Sequence, residues 1–377
     1  MYERLMRPAA LVITLGASIL LGVSSPAWAQ LRIGQPSGFT GSVAAGVKEN
    51  TEGAKLYINA INARGGVNGQ KIELISVDDK FDPKVTVEVA RELITNQKVL
   101  ALFLNRGTPH SQALLPLLEE FKVPLVGPST GAMALHEPVN PWVFNVRATY
   151  QREAAKAIEH LATTGITRIA LLQTDDSFGA DSAAGALKGF EAVGQKPLLL
   201  EKFPRDKPDF SELAKQVAKS GAQAVMVIGS AGNTANAVKA IRAAGSRAQA
   251  VTLSNNASEG FIKLLGDHAR GVIVTQVFPN ERSVTYALIK EAQELAKAAG
   301  MEGVSPAMME GYAAAKVLTE GLRRAGPNPT PVALRSALEG IKDFDLGGLK
   351  VSYSPTNHTG LDFADLSIVD ASGRFRR

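Results

Sequence analysis

The 377-residue sequence has no cysteine. That absence rules out disulfides and leaves no site for a cysteine-linked lipid anchor. The five histidines are scattered, without the spacing of zinc ligands. No Gly-x-x-x-x-Gly-Lys loop is present to cradle a nucleotide. Beyond the first thirty residues, no run is apolar and uncharged for the roughly 20 residues that a membrane helix needs. The net charge is +5, but Lys, Arg, Asp and Glu are interspersed rather than blocked, against a nucleic-acid footprint. No metal, cofactor or nucleic acid is therefore expected.

The first stretch has the layout of an export signal. Arg4 and Arg7 form a basic start, Ala9 to Val23 is an uncharged apolar run, and Ala27-Trp28-Ala29 offers small residues two apart. The pattern predicts a signal peptide over 1–29, cleaved before Gln30. The remaining chain suggests two domains at roughly 100–200 residues each, and 45% apolar residues are ample for packed cores.

Within that mature part, the apolar period alternates between strand and helix. Leu31–Gly34, Lys71–Val77, Val99–Leu104 and Val123–Val126 read as strands, with helical patterns between them. The theme repeats with strands at Ile166–Leu172, Ala222–Ile228, Ala248–Leu253 and Gly271–Val277. Short, nearly continuous apolar strands between amphipathic helices imply parallel sheets covered on both faces. From Val284 to Gly340 the chain reads as mostly helical, and Leu349–Tyr353 and Phe363–Ile368 read as closing strands. Ligands of doubly wound sheets sit at the carboxyl ends of the strands, which directs attention to the loops there.

Two such loops, Asn105-Arg106-Gly107-Thr108-Pro109 and Gly127-Pro128-Ser129-Thr130-Gly131, are rich in hydroxyls and glycine. Loops of this kind supply N–H and O–H donors for a carboxylate or phosphate, and equally serve as ordinary turns. The second also fits a nucleophile elbow, in which Ser129 would need an acid and one of His136, His160, His268 or His358. Asp78-Asp79 and Asp175-Asp176 each follow a strand but supply too few carboxylates for a Ca²⁺ or Mg²⁺ loop. Turn formation and helix capping are the expected roles there.

Several segments together carry a family likeness. They are Glu52-Gly53-Ala54 through Ile61-Asn62-Ala63-Arg64-Gly65-Gly66-Val67-Asn68-Gly69, Asp78-Asp79 with Asp82-Pro83, and Phe144-Asn145-Val146-Arg147-Ala148. Asp175-Asp176-Ser177-Phe178-Gly179, Glu310-Gly311-Tyr312-Ala313-Ala314 and Tyr353-Ser354-Pro355 with Asn357-His358-Thr359-Gly360 complete the run. In order and spacing the chain resembles the leucine/isoleucine/valine-type periplasmic binding proteins of ABC transporters. The resemblance implies an α/β, type I periplasmic binding protein fold: two doubly wound parallel-sheet lobes joined by a three-strand hinge. Lobe one is expected over 30–148 plus 278–345, and lobe two over 149–277 plus 346–377. It implies a monomer in the periplasm that captures a small carboxylate-bearing molecule by hinge closure and delivers it to a membrane permease. Rival readings are a secreted serine hydrolase using Ser129 and the ligand-binding subunit of a membrane receptor.

The implied ligand-facing set is Arg106, Gly107, Thr108, Ser129, Thr130, Gly131, Tyr150, Phe178, Ser230, Asn256 and Gln276. Thr108 and Ser129-Thr130-Gly131 take the ligand's carboxylate in that family, and Arg106 faces the side-chain pocket. Amino-acid binders of the family hold the ammonium with an acid and tyrosines of lobe two. Here the corresponding places carry Phe178, Gly229-Ser230-Ala231 and Asn255 or Asn256, with Gln151 at an acidic hinge position. A buried ammonium without a carboxylate would be an uncompensated charge, so an amine-free acid is expected as the rival of an amino acid, whose ammonium would need Asp175 or Asp176 to hold it.

Overall fold

The computed structural model describes residues 30–377; the predicted signal segment and its cleavage point lie outside the described residues. Eight elements begin the first lobe. They are β1 (Leu31–Ser37), α1 (Ala44–Ala63), β2 (Ile72–Asp78), α2 (Pro83–Thr95), β3 (Ala101–Phe103), α3 (Thr108–Phe121), β4 (Leu125–Val126) and β5 (Val143–Phe144). The strands form one parallel sheet in the order β2-β1-β3-β4-β5. Strands β3, β4 and β5 are buried along their whole length, which is why they read as continuous apolar runs.

The second lobe repeats the plan with α4 (Tyr150–Thr163), β6 (Ile169–Thr174), α5 (Ser177–Ala192), β7 (Leu199–Phe203) and α6 (Ser211–Ser220). It continues through β8 (Ala224–Ile228), α7 (Ala231–Ala243), β9 (Gln249–Thr252), α8 (Glu259–Leu265) and β10 (Ile273–Gln276). After β10 come α9 (Ala287–Ala298), α10 (Pro306–Arg324) and α11 (Pro331–Glu339), then the hairpin β11 (Phe344–Asp345) and β12 (Lys350–Val351). Two last strands, β13 (Asp365–Val369) and β14 (Phe375–Arg376), add antiparallel to the second sheet, whose order is β14-β13-β10-β9-β8-β6-β7. The chain therefore passes between the lobes three times, near 145–149, 277–286 and 352–364, which is the hinge of the expected fold.

Helices α9 to α11 return to the first lobe, and the glycine-containing motifs explain how. A Cβ on Gly53 would lie 1.9 Å from the Met308 carbonyl oxygen, and one on Gly311 would lie 1.8 Å from that of Asn50. Only glycine at both places lets α1 and α10 touch backbone to backbone. Tyr57 and Tyr312 then meet edge to face at 5.2 Å in the core between them.

Three expectations change. Leu346, Val351, Tyr353 and Leu361 pack in the first lobe's core with Val146 and Tyr312, so the chain leaves that lobe later than residue 345. The strand expected over Leu349–Tyr353 shrinks to the short β12, paired only with β11. Strand β7 and helix α4 were not anticipated. At the sheet edge β7 alternates between half-buried and exposed positions and carries Glu201 and Lys202, so no apolar run marks it.

Candidate functional site

The carboxyl ends of the two sheets face each other across a cleft, and short loops with helix caps form its walls. Asp176 caps α5 by accepting from Gly179 N, and Ser230 caps α7 by accepting from Asn233 N. Both caps are drawn to the cleft because a parallel strand ends there and a helix begins. Between the walls lies a cavity of about 30 Å³, lined by Val43, Phe81, Arg106, Gly107 and Thr108 from the first lobe. Tyr150, Thr174, Asp176, Phe178, Arg205, Ser230, Asn233 and Asn255 line it from the second. That volume holds about two water molecules, so the lobes are closed on one another.

Arg106 spans the cleft. Its Nη1 donates to Ser129 Oγ at 2.9 Å, and its Nη2 donates to the Asn255 carbonyl in the other lobe at 2.5 Å. The residue is only 5% exposed, yet its partners are a hydroxyl and a carbonyl, and no carboxylate of the described residues pairs with it. A guanidinium buried on neutral acceptors leaves its charge uncompensated.

Beside it, Phe81 is held in the left-handed region at φ 56°, directly after Lys80 at φ 55°. The Asp79 carboxylate stabilises this turn by accepting from Phe81 N (2.9 Å) and Thr86 Oγ1 (2.8 Å). Burial pushes the Asp79 carboxyl up to about 6, against those two hydrogen bonds. The Phe81 ring stacks on His110 with centroids 4.3 Å apart, and the Arg205 guanidinium lies 4.8 Å from its centre. Burial drives His110 down to about 4, so it is neutral in the fold. Gly107 is required beneath it: its φ is 100°, and a Cβ would come within 2.6 Å of His110 Nδ1.

On the second lobe, Phe178 meets Tyr150 edge to face at 4.9 Å. Arg205 pairs with Asp176 at 2.5 Å, so that acid is already engaged. Thr174 Oγ1 and Asn255 Oδ1 are buried and have no hydrogen-bond partner within the protein, so both are free to take a polar group of a ligand.

Of the residues expected from sequence, Arg106, Gly107, Thr108, Tyr150, Phe178 and Ser230 line the cavity. Ser129 and Thr130 stand behind it: Ser129 is covered by Arg106, and Thr130 Oγ1 shares a 2.7 Å hydrogen bond with Thr108 Oγ1. Gly131 serves the backbone, its carbonyl accepting from Tyr150 N at 2.8 Å. Asn256 points away from the cleft. Fully buried, it donates to the Gly229 carbonyl, Thr234 Oγ1 and Thr252 Oγ1, and its neighbour Asn255 takes the cavity position. Gln276 ends β10 opposite Asp365 in the antiparallel ladder and does not line the cavity.

Ser129 is not arranged as a nucleophile. Arg106 donates to its Oγ at 2.9 Å, and that hydroxyl donates in turn to the side-chain oxygen of Asn50 at 2.9 Å. Among the candidate bases, His136 bonds Thr359 and His358 bonds the Asn140 and Val143 carbonyls. A serine held by a cation and an amide, without an imidazole, lacks the base that would take its proton.

At the foot of the cleft a second buried arginine joins the lobes. Arg147, on the first crossing, pairs with Glu153 of α4, donates to Ser254 Oγ at 2.6 Å and lies 3.8 Å from Glu310 of α10. The other Glu153 oxygen accepts from Ser254 N (3.0 Å) and from Thr275 Oγ1.

Sequence reasoning missed Phe81 and Arg205. A phenylalanine between charged residues in a strand-end turn was the available signal for the first. The second follows β7, so reading that edge strand would have placed Arg205 at a carboxyl end.

The periplasmic binding protein family profile matches residues 30–372. An amino acid binding protein of Pseudomonas aeruginosa is 25% identical over 215 residues, 57% of this chain and 58% of that one. That match spans less than two thirds of the relative. Leu/Ile/Val-binding protein homolog 3 of Brucella melitensis is 25% identical over 344 residues, 89% of this chain and 90% of its own length. Among solved structures, a substrate-binding periplasmic protein from Ralstonia solanacearum is 31% identical with a TM-score of 0.84, covering 92% of this chain and 99% of that one. With a profile that runs from the first described strand almost to the last, and two wound lobes closing on a cleft, the chain belongs to the periplasmic binding protein family.

Proposed function

We propose that the protein captures a small organic acid without a free α-ammonium in the periplasm, by hinge closure, and delivers it to the membrane permease of an ABC importer. The observation that carries this reading is Arg106: a buried, unpaired cation between the lobes. A ligand carboxylate would supply the missing charge and take over its donors. An amino acid would bring an ammonium as well, and the one acid lining the cavity, Asp176, is bound to Arg205 and to the start of α5. Phe81, Phe178 and Tyr150 would cover an apolar or aromatic body. With a closed cavity near 30 Å³, entry requires the lobes to part and Arg106 to release Asn255, as hinge-bending binders do.

A thermal-shift screen, followed by calorimetry, tests the reading with leucine and valine against 4-methylpentanoate, benzoate and 4-hydroxybenzoate. A ligand at a hundred times its dissociation constant stabilises the fold by about 2.7 kcal/mol, and the amine-free acids are expected to do so. Submicromolar binding of leucine or valine with no response to the acids overturns the proposal.

A further inference from the structure

We propose that Glu49, which lies outside the ligand cavity, is a latch that holds the lobes closed and so sets how much of the unliganded protein is closed. The inference rests on the hinge-closing reading above and extends it to a residue that touches no ligand.

Glu49 belongs to α1 of the first lobe. Its Oε1 accepts from Gly260 N at 2.8 Å and its Oε2 from Glu259 N at 3.1 Å, both at the start of α8 in the second lobe. Ser305 Oγ, at the start of α10 in the first lobe, donates to Oε2 at 2.6 Å and holds the carboxylate in place. Ser305 is itself anchored as the cap of α10, accepting from Met308 N. One carboxylate thus joins three chain segments, and the two bonds from α8 exist only while the lobes touch. Opening would return those two N–H groups and the carboxylate to water. Burial raises the Glu49 carboxyl, with the nearby Glu259 charge adding to it, as expected of an acid shut into an interface.

The packing around the latch is cut to the same closure. One turn earlier on α1, Ala45 meets α8 so closely that a Cβ on Gly260 would lie 2.3 Å from the Ala45 Cβ. At the neighbouring contact, a Cβ on Gly232 of α7 would approach Ser42 to 3.3 Å. Small residues on both lobes let the backbones come close enough for Glu49 to reach two backbone donors. Because apparent affinity scales with the fraction of protein in the binding-competent state, a latch remote from the ligand can tune binding. If that fraction is the open form, the latch opposes entry; once ligand is in, it slows release.

The absence of cysteine makes the test direct, since a K84C/D206C pair is the only thiol pair in the molecule. Both positions are exposed, and they flank the cleft mouth where Phe81 meets Arg205. Spin labels there report lobe separation by double electron–electron resonance in the ligand-free full-length protein. Glu49→Ala is expected to shift the population from the short to the long distance by roughly tenfold, the scale of a lost hydrogen bond to a charged group. Glu49→Gln, which keeps one acceptor, is expected to fall between. Gly260→Val leaves the carboxylate intact but blocks the approach to Ala45, and is expected to open the lobes as Glu49→Ala does. Circular dichroism melts of each variant separate opening from unfolding. A distance distribution in Glu49→Ala that superimposes on the parent's overturns the proposal, whether the parent is closed or open. Failure of the ligand reading looks different: no acid moves the distances in any variant.

Discussion

Two arginines are buried between the lobes, at 1% and 5% exposure, and their surroundings are opposite. Arg147, at the hinge, is enclosed by Glu153 and Glu310, and its charge is matched within the protein. Arg106, at the cleft cavity, rests on a serine hydroxyl and a carbonyl. The cost of taking a guanidinium out of water is similar in both places. The difference is where the compensating charge comes from: the first is supplied by the fold, and on the function we propose the second is supplied by the ligand. A charge matched internally fixes geometry, whereas an unmatched one in a cavity selects what binds.

That contrast breaks most sharply at Arg147. Arg147→Met would strand two buried carboxylates beside each other, and removing one partner of a buried pair costs about 3–5 kcal/mol. We expect a correspondingly large drop in the midpoint of urea unfolding, with ligand affinity of the surviving folded protein changed less than its stability. An unchanged midpoint would mean that Arg147 is not compensated as described.

Arg106→Met is the mirror experiment. It removes a charge with no partner, so stability is expected to hold or rise slightly, while binding of an organic acid weakens by about 1.5–3 kcal/mol, the range for a hydrogen bond to a charged group. Calorimetry with whichever acid the screen identifies, alongside the same urea titration, separates the two effects. Loss of stability as large as at Arg147 would make both arginines structural and erase the comparison.

The contrast between these arginines was only partly legible in the sequence. The parallel-sheet architecture was, because strands such as β3, β6 and β8 are buried on both faces and therefore read as unbroken apolar runs. The loop holding Arg106 and Thr108 stood out as a strand end followed by a glycine and a hydroxyl, while the ligand-facing roles of the two residues came from the family resemblance. Which of Asn255 and Asn256 faces the cavity was not legible: they follow each other in a single 3₁₀ turn, Ser254–Asn256, where adjacent side chains diverge with no period to read. Whether an arginine is paired is a tertiary fact. Glu153 stands six residues from Arg147 and Glu310 far beyond, and only the crossing of the lobes brings them together.

His110 offers a third answer to the same problem, and the smallest effect. It is a buried basic side chain that neither finds a carboxylate nor waits for one; it sheds its proton. Phe81 stacks on its ring, Arg205 repels added charge, and Asp82 and Asp176 are too weak an attraction to offset burial, which holds it at about 4. The unfolded chain takes up the proton near 6.5, so between 6.5 and 4 the unfolded state binds more protons than the folded one. The contribution is therefore complete above pH 6.5 and declines as pH falls towards 4, by roughly 1 kcal/mol between pH 7 and 5.5. Asp79, raised to about 6 on the far side of the same phenylalanine, has the opposite sign: folded, it keeps its proton longer than the unfolded chain does, so stability falls as pH rises from 3.8 to 6. The two trends partly cancel in the parent, and a single pH titration would hide both. His110→Gln keeps a polar group of similar size and cannot be protonated. Subtracting its urea-unfolding free energies from the parent's at each pH removes the Asp79 contribution and leaves that of His110. We expect the difference to tilt against the parent as pH drops from 7 to 5.5; a flat difference would mean that His110 takes up its proton without unfolding, and that the wall behind Phe81 tolerates a cation after all.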